Sequence, residues 1–196
     1  FYADQESDLE AAFDVIVGSI TKQIGDVTIR DTLSEYVTFS DEAGELFAKY
    51  DADGDGTITI DSSDSSLIQE LGLKVQRHSK NDSIKNAVDY SGDYTWTIDL
   101  NNKTISVNFG KEYFLERDVV YTISFNVKLT EAAYMTSYDA KGDARTDYPG
   151  NVTSSGQDGL LSNSAASLTY SRVTDGKYEE ETKRYPDPVV QAKVSH

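Results

Sequence analysis

The sequence predicts a mainly β chain, an antiparallel β-sandwich with an N-terminal helix and an insertion, on three observations. The first is a long run in which Val119, Tyr121, Ile123, Phe125, Val127 and Leu129 alternate with Val120, Thr122, Ser124, Asn126 and Lys128. A half-buried antiparallel strand has this pattern, because successive side chains point to opposite faces of a sheet. The second is a pair of shorter alternating runs, one through Tyr94, Trp96 and Ile98 and one through Ile105, Val107 and Phe109. Asn101 and Asn102 between them predict a hairpin turn. The third is that only one stretch carries a long helical stripe, and one helix followed by many short strands is the pattern of a sandwich.

Taken in order, the helix comes first. Ser7 and Glu10 have capping-box spacing, and Leu9, Ala12, Phe13, Ile16, Val17 and Ile20 recur at the intervals of an amphipathic helix, with Gly25 past its end. From Val27 the period becomes two. Val27, Ile29 and Asp31 share one face, with Thr28 and Arg30 on the other. Periodicity leaves two readings of Asp31: a carboxyl buried on the core face, or a residue opening a turn after Ile29, the second slightly favoured. Residues 40–86 mix short helical pieces with acidic loops. Thr130-Glu131-Ala132-Ala133 predicts a capped helical turn, 137–159 a long polar loop, and two more strands run near Leu161–Tyr170 and Val189–Val194. On the first of these, Leu161 and Asn163 share a face, which points an amide inward; an ordinary hydrogen bond to backbone would satisfy it.

Composition narrows the function. The 196 residues make one fairly large domain, or a domain and a fragment, and 13 Tyr, 7 Phe and 1 Trp supply bulky core material. With 34 acidic against 18 basic residues the net charge is −16. Phosphate backbones and anionic bilayers both need clustered Lys and Arg, so neither nucleic acid nor a membrane is an expected partner. There is no cysteine, which excludes disulfides and thiolate metal sites. No apolar run reaches the roughly 18 residues of a membrane span. The opening Phe1-Tyr2-Ala3 has no signal-peptide pattern and reads as the start of an excised or processed piece. Of the two histidines, His78 lies in a polar stretch and His196 is terminal, so no nucleophile triad is expected.

The sharpest local motif is Asp51-Ala52-Asp53-Gly54-Asp55-Gly56-Thr57-Ile58. Carboxylates at positions 1, 3 and 5 surround one centre, Gly56 permits a sharp turn, Thr57 offers a backbone carbonyl, and Ile58 anchors the loop to a core. A hard cation such as Ca²⁺ suits these oxygens. Position 12 is Ser62 rather than the bidentate Glu of an EF-hand, and Asp61 or Asp64 could substitute. An acidic turn that needs no ion is the plainer alternative. With no second hand, the expected role of Ca²⁺ is to stiffen a loop.

Several segments in order resemble surface and pilus-tip adhesins of Gram-positive bacteria that carry a von Willebrand factor A domain. Phe1-Tyr2-Ala3 and Leu9-Glu10-Ala11-Ala12-Phe13-Asp14-Val15-Ile16 resemble the last strand and helix of the A domain. Residues 27–37, with Asp31-Thr32-Leu33, are similar to the strand that follows it. Residues 121–130, Leu161–Ala166 and Tyr185–Gln191 are similar to later strands. The resemblance implies a boundary near 25: residues 1–25 end the A domain, and 26–196 form a collagen-adhesin type A, Ig-like sandwich interrupted at 40–86. It also implies closure by a Lys–Asn isopeptide bond, with Asp31 as proton shuttle and Asn163 as acceptor. In such adhesins the reactive Lys lies on a strand before the A domain, so here it is expected upstream of Phe1. Lys22, the nearest candidate within the chain, is poorly placed for a first strand.

The expected protein is therefore a non-enzymatic stalk module, extracellular and cell-wall anchored or pilus-associated, reaching a host-surface or matrix ligand through neighbouring modules. The isopeptide reaction happens once and is not turnover. One rival is a carbohydrate- or matrix-protein-binding module using exposed Tyr and the 137–159 loop. A second is a fragment of a Ca²⁺-dependent hydrolase, which would need two carboxyls converging in a cleft.

Overall fold

The computed structural model describes residues 9–16, 24–110, 116, 118–138, 159–174, 177–184 and 189–190. The Ser7 cap, Lys22, Phe1–Ala3, residues 139–158, Tyr185–Pro188, the strand expected beyond Val190 and His196 lie outside them.

Thirteen described strands and three α-helices follow in chain order. They are β1 (Leu9–Ile16), β2 (Ile24–Leu33), β3 (Val37–Phe39), α1 (Asp41–Tyr50), β4 (Thr57–Asp61), α2 (Ser65–Glu70), β5 (Lys74–Ser79) and β6 (Val88–Asp89). There follow β7 (Thr95–Asp99), β8 (Thr104–Asn108), β9 (Val119–Leu129), α3 (Glu131–Ser137), β10 (Leu160–Leu161), β11 (Asn163–Thr174), β12 (Lys177–Arg184) and β13 (Val189–Val190). One sheet has the order β1-β9-β5-β6, with β3 also on β9; the other runs β12-β11-β2-β8-β7-β4; β10 and β13 form a small ribbon. All the pairings are antiparallel.

The two large sheets share one apolar core. Phe109, just past β8, meets Tyr121 of β9 edge-on at 5.7 Å, and Tyr90 touches both rings at 5.5 and 6.0 Å. Such edge-to-face packing suits aromatic quadrupoles. Trp96, Ile98, Ile105 and Val107 line the inner face of the β7–β8 hairpin, which forms at the predicted place. Asp99 accepts from the Asn102 backbone N–H at 2.9 Å, and Lys103 takes the left-handed conformation (φ 52°) that closes the turn.

Three expectations need correction. Leu9–Ile16 is a strand, not a helix, and pairs with β9 over eight residues. The segment satisfies both periods, since Leu9, Ala11, Phe13 and Val15 also alternate with Glu10, Ala12, Asp14 and Ile16. Pairing with a long neighbour outweighs a local stripe of this kind. β1 thus lies in the same sheet as β9. Second, β9 is not half-buried: Val120, Thr122 and Ser124, on the expected solvent face, are buried as well. Third, β2 does not end at Ile29. It runs to Leu33, and Val27, Ile29, Asp31 and Leu33 all face the core, which removes the turn reading of Asp31.

The stretch 40–86 resolves into capped pieces. Ser40 caps α1 by accepting from Ala43 N–H at 3.2 Å, Asp41 and Glu42 suit the positive end of the helix dipole, and Phe47 packs edge-on against Phe39 at 5.3 Å. Asp64 caps α2 through Leu67 N–H at 3.2 Å. Thr130 caps α3 through Ala133 N–H, as its sequence predicts.

Candidate functional site

Asp31 and Asn163 come together on the core face of two paired strands. β2 lies between β11 and β8, so Asp31 stands opposite Ala166 on one side and Ile105 on the other. Asn163 stands opposite Leu33, two residues along β2 on the same face. Asp31 and Asn163 are thus diagonal cross-strand neighbours, a relation that places Cα atoms about 7–8 Å apart. Each residue is only 1 % exposed.

A β-bulge makes this possible. The register shifts between Asn163 and Ala165, so that Asn163 faces inward together with the even-numbered Ala166, Leu168 and Tyr170. Without the extra residue, alternation would turn Asn163 outward. Hydrogen bonds stitch this end of the sheet: Ser34 N–H to Ser162 O at 3.1 Å, the Ser34 hydroxyl to Leu161 O at 2.6 Å, and the Ser164 hydroxyl to Thr32 O at 3.3 Å. Ile29, Ile105 and Ala166 on the same inner face are all buried. Lys49, Lys74, Lys80, Lys85 and Lys183 are exposed, and Lys103 and Lys128 half-buried; Lys103 directs its ammonium to Val37 O at 3.4 Å.

The acidic loop follows α1. Carboxylate oxygens of Asp51, Asp53 and Asp55 lie within 4.8 Å of one another. Gly56 N–H donates to Asp51 Oδ2 at 3.0 Å, Asp55 N–H to Asp53 Oδ1 at 3.3 Å, and Thr57 N–H to Asp55 Oδ1 at 2.6 Å. Asp51 Oδ1 is buried and has no hydrogen-bond partner. Gly54 and Gly56 have φ of 71° and 83°, conformations that favour glycine. Asn101 clasps the loop, its amide donating to Asp55 O at 2.9 Å, while Leu100 N–H reaches Gly56 O at 2.8 Å. An all-oxygen donor set with one orphaned buried oxygen fits a hard cation.

Asp61 does not join this cluster. It ends β4, four residues past Thr57 and so about 13 Å along an extended strand. Its carboxylate accepts instead from the Thr95 hydroxyl at 3.0 Å. Ser62, at the twelfth position, accepts from Tyr94 N–H at 3.2 Å, and Asp64 is occupied as the α2 cap.

The tyrosines do not make an exposed strip among the described residues: Tyr90, Tyr121 and Tyr170 are core, while Tyr50 is exposed. Sequence reading missed the bulge, whose only signal is the run of small residues Ser164-Ala165-Ala166. It also missed Asn101 as the clasp of the acidic loop. No described helix is long and apolar enough to cross a membrane.

Comparison with curated proteins gives no match. The family model described as Domain of unknown function (DUF7604) matches residues 24–191, from the first residue of β2 to just past β13, and the chain therefore belongs to that family.

Proposed function

We propose that the chain is a load-bearing stalk module of a bacterial cell-surface or pilus protein, closed by a Lys–Asn isopeptide bond at Asn163. One observation carries this reading: a carboxyl and a carboxamide, remote in sequence, are both buried and diagonal to each other on the core face of β2 and β11.

In the proposed reaction Asp31, acting in its protonated form, hydrogen-bonds the Asn163 side-chain carbonyl and polarises it. A lysine amine, itself uncharged when buried, attacks Asn163 Cγ. The new C–N bond forms as the C–NH₂ bond breaks; the amine proton passes through Asp31 to the departing nitrogen, and ammonia leaves. The lysine comes from a strand upstream of Phe1. The resulting cross-link would carry tension that hydrogen bonds alone would transmit by unzipping, in a chain that has no cysteine for a disulfide.

The same reading assigns Ca²⁺ to Asp51, Asp53 and Asp55, supported by the orphaned Asp51 Oδ1. The ion would neutralise the converging carboxylates and rigidify the insertion. Localisation outside the cell follows from the stalk role. A synthetic peptide covering the upstream lysine strand, incubated with the chain, tests the chemistry. Covalent joining with loss of about 17 Da, the mass of the ammonia displaced by a lysine nucleophile, supports it. Joining should vanish in Asp31→Ala and Asn163→Ala; a mixture that stays noncovalent, or joining that survives both substitutions, refutes it.

A further inference from the structure

A cleft of about 490 Å³ opens between α2, the start of β5, Asp89 of β6 and Tyr94. This is within the roughly 300–1,000 Å³ of small-molecule sites. Its floor is apolar, formed where Ile68, Leu73 and Val75 surface from the core. Its rim is polar and ordered: Gln76 Nε2 donates to Asp89 Oδ1 at 3.1 Å, and the Ser62 hydroxyl oxygen accepts from Tyr94 N–H at 3.2 Å. The half-buried Tyr94 ring packs on Tyr90, centroids 6.0 Å apart. Burial, and then the charge of Asp89, push the Tyr94 hydroxyl above its ordinary pKa.

We infer that this cleft binds a neutral sugar, one pyranose ring with its C–H face on the apolar floor and its hydroxyls on the Gln76–Asp89 pair. The lining contains one acid, Asp89, and one base, Lys74, so it presents no net charge on a chain of net charge −16. An anion would meet the overall negative field, and a divalent cation would find a single carboxylate. A purely apolar ligand would leave the rim groups dehydrated and unpaired. A pyranose has both surfaces the cleft presents. Once the Gln76–Asp89 bond is made, the amide keeps an N–H and a carbonyl beside a free carboxylate oxygen, which matches adjacent hydroxyls that each donate and accept. The inference does not depend on the isopeptide chemistry, which lies at another place in the fold.

The test is an amide-resolved NMR titration of the full chain with the methyl glycosides of glucose, galactose, mannose and N-acetylglucosamine, and with glucuronate as a charged control. At least one neutral glycoside should give saturable shifts centred on Gln69, Leu73–Gln76, Asp89 and Tyr94, and bind more tightly than glucuronate. Asp89→Ala and Gln76→Ala, both outside the core, should each weaken binding about tenfold with the melting temperature unchanged. No saturable shifts with any neutral glycoside, shifts centred elsewhere, tighter binding of glucuronate, or full affinity in both variants would each overturn it.

Discussion

Replacing Gly56 with alanine tests how the acidic loop is held. Its φ of 83° is a conformation that costs an L-residue roughly 1–2 kcal/mol. A Cβ there would also fall well inside contact distance of Asn101 Nδ2. The Asn101 side chain can swing away, but only by giving up its 2.9 Å bond to Asp55 O, worth about 1 kcal/mol. The expected total is about 2–3 kcal/mol, a fall in melting temperature of roughly 5–10 °C for a domain of this size. Urea denaturation of Gly56→Ala, Asn101→Ala and the double variant measures it. Because the first change already removes the Asn101 bond, adding the second should cost almost nothing more. Simple additivity of the two losses, or a Gly56→Ala variant as stable as the parent, would refute the reasoning.

Other consequences can be checked in parallel. Ca²⁺ at a hundredfold excess over its dissociation constant should stabilise the fold by about 2.7 kcal/mol in calorimetry, and Asp53→Ala with Asp55→Ala should abolish the gain; equal stability with Ca²⁺ and with chelator would remove the metal site. The Asn102 side-chain amide, and then its backbone N–H, hold the Asp99 carboxyl below its usual pKa. A depressed folded-state pKa gives stability that is present above the unfolded value and lost as pH falls through the folded one. Asn102→Ala should therefore move the Asp99 midpoint upward in a carboxyl NMR titration, and an unmoved midpoint would contradict the assignment. Trp96 is fully buried with no partner for its indole N–H. Trp96→Ala should cost about 3–5 kcal/mol, and Trp96→Phe clearly less because no hydrogen bond is lost; equal losses in denaturation would show otherwise.

Much of this fold is legible in the sequence where one face is buried and local pattern and tertiary pairing agree. The β7–β8 hairpin, the Thr130 cap and the inward set of β9 are of that kind. β1 is not, because Leu9–Ile16 fits a helical and an extended period alike, and the strand that decides between them lies more than a hundred residues away. Asp31 is ambiguous for a different reason: nothing local shows that β8 flanks the strand to Thr32 and β11 to Leu33. Asn163 points inward as expected, but not on a strand face shared with Leu161, which is half-buried in the separate β10, and the bulge changes parity at Ser164. The acidic triad is readable from spacing alone, whereas the loss of Asp61 from it follows from the straight β4 that pairs with β7. The cleft on α2 is lined mostly by residues 62–76, but Asp89 and Tyr94, which complete its rim, come from further along the chain.

The central claim is that Asp31 and Asn163 form one half of a covalent closure. Intact-mass measurement of the chain extended upstream to include the proposed lysine strand tests it most directly. The account predicts a mass about 17 Da below the sequence value, through attack of a lysine on an amide, with tandem fragmentation placing the junction at Asn163. A fully folded protein at its unmodified mass, with Asp31 and Asn163 intact, would contradict it.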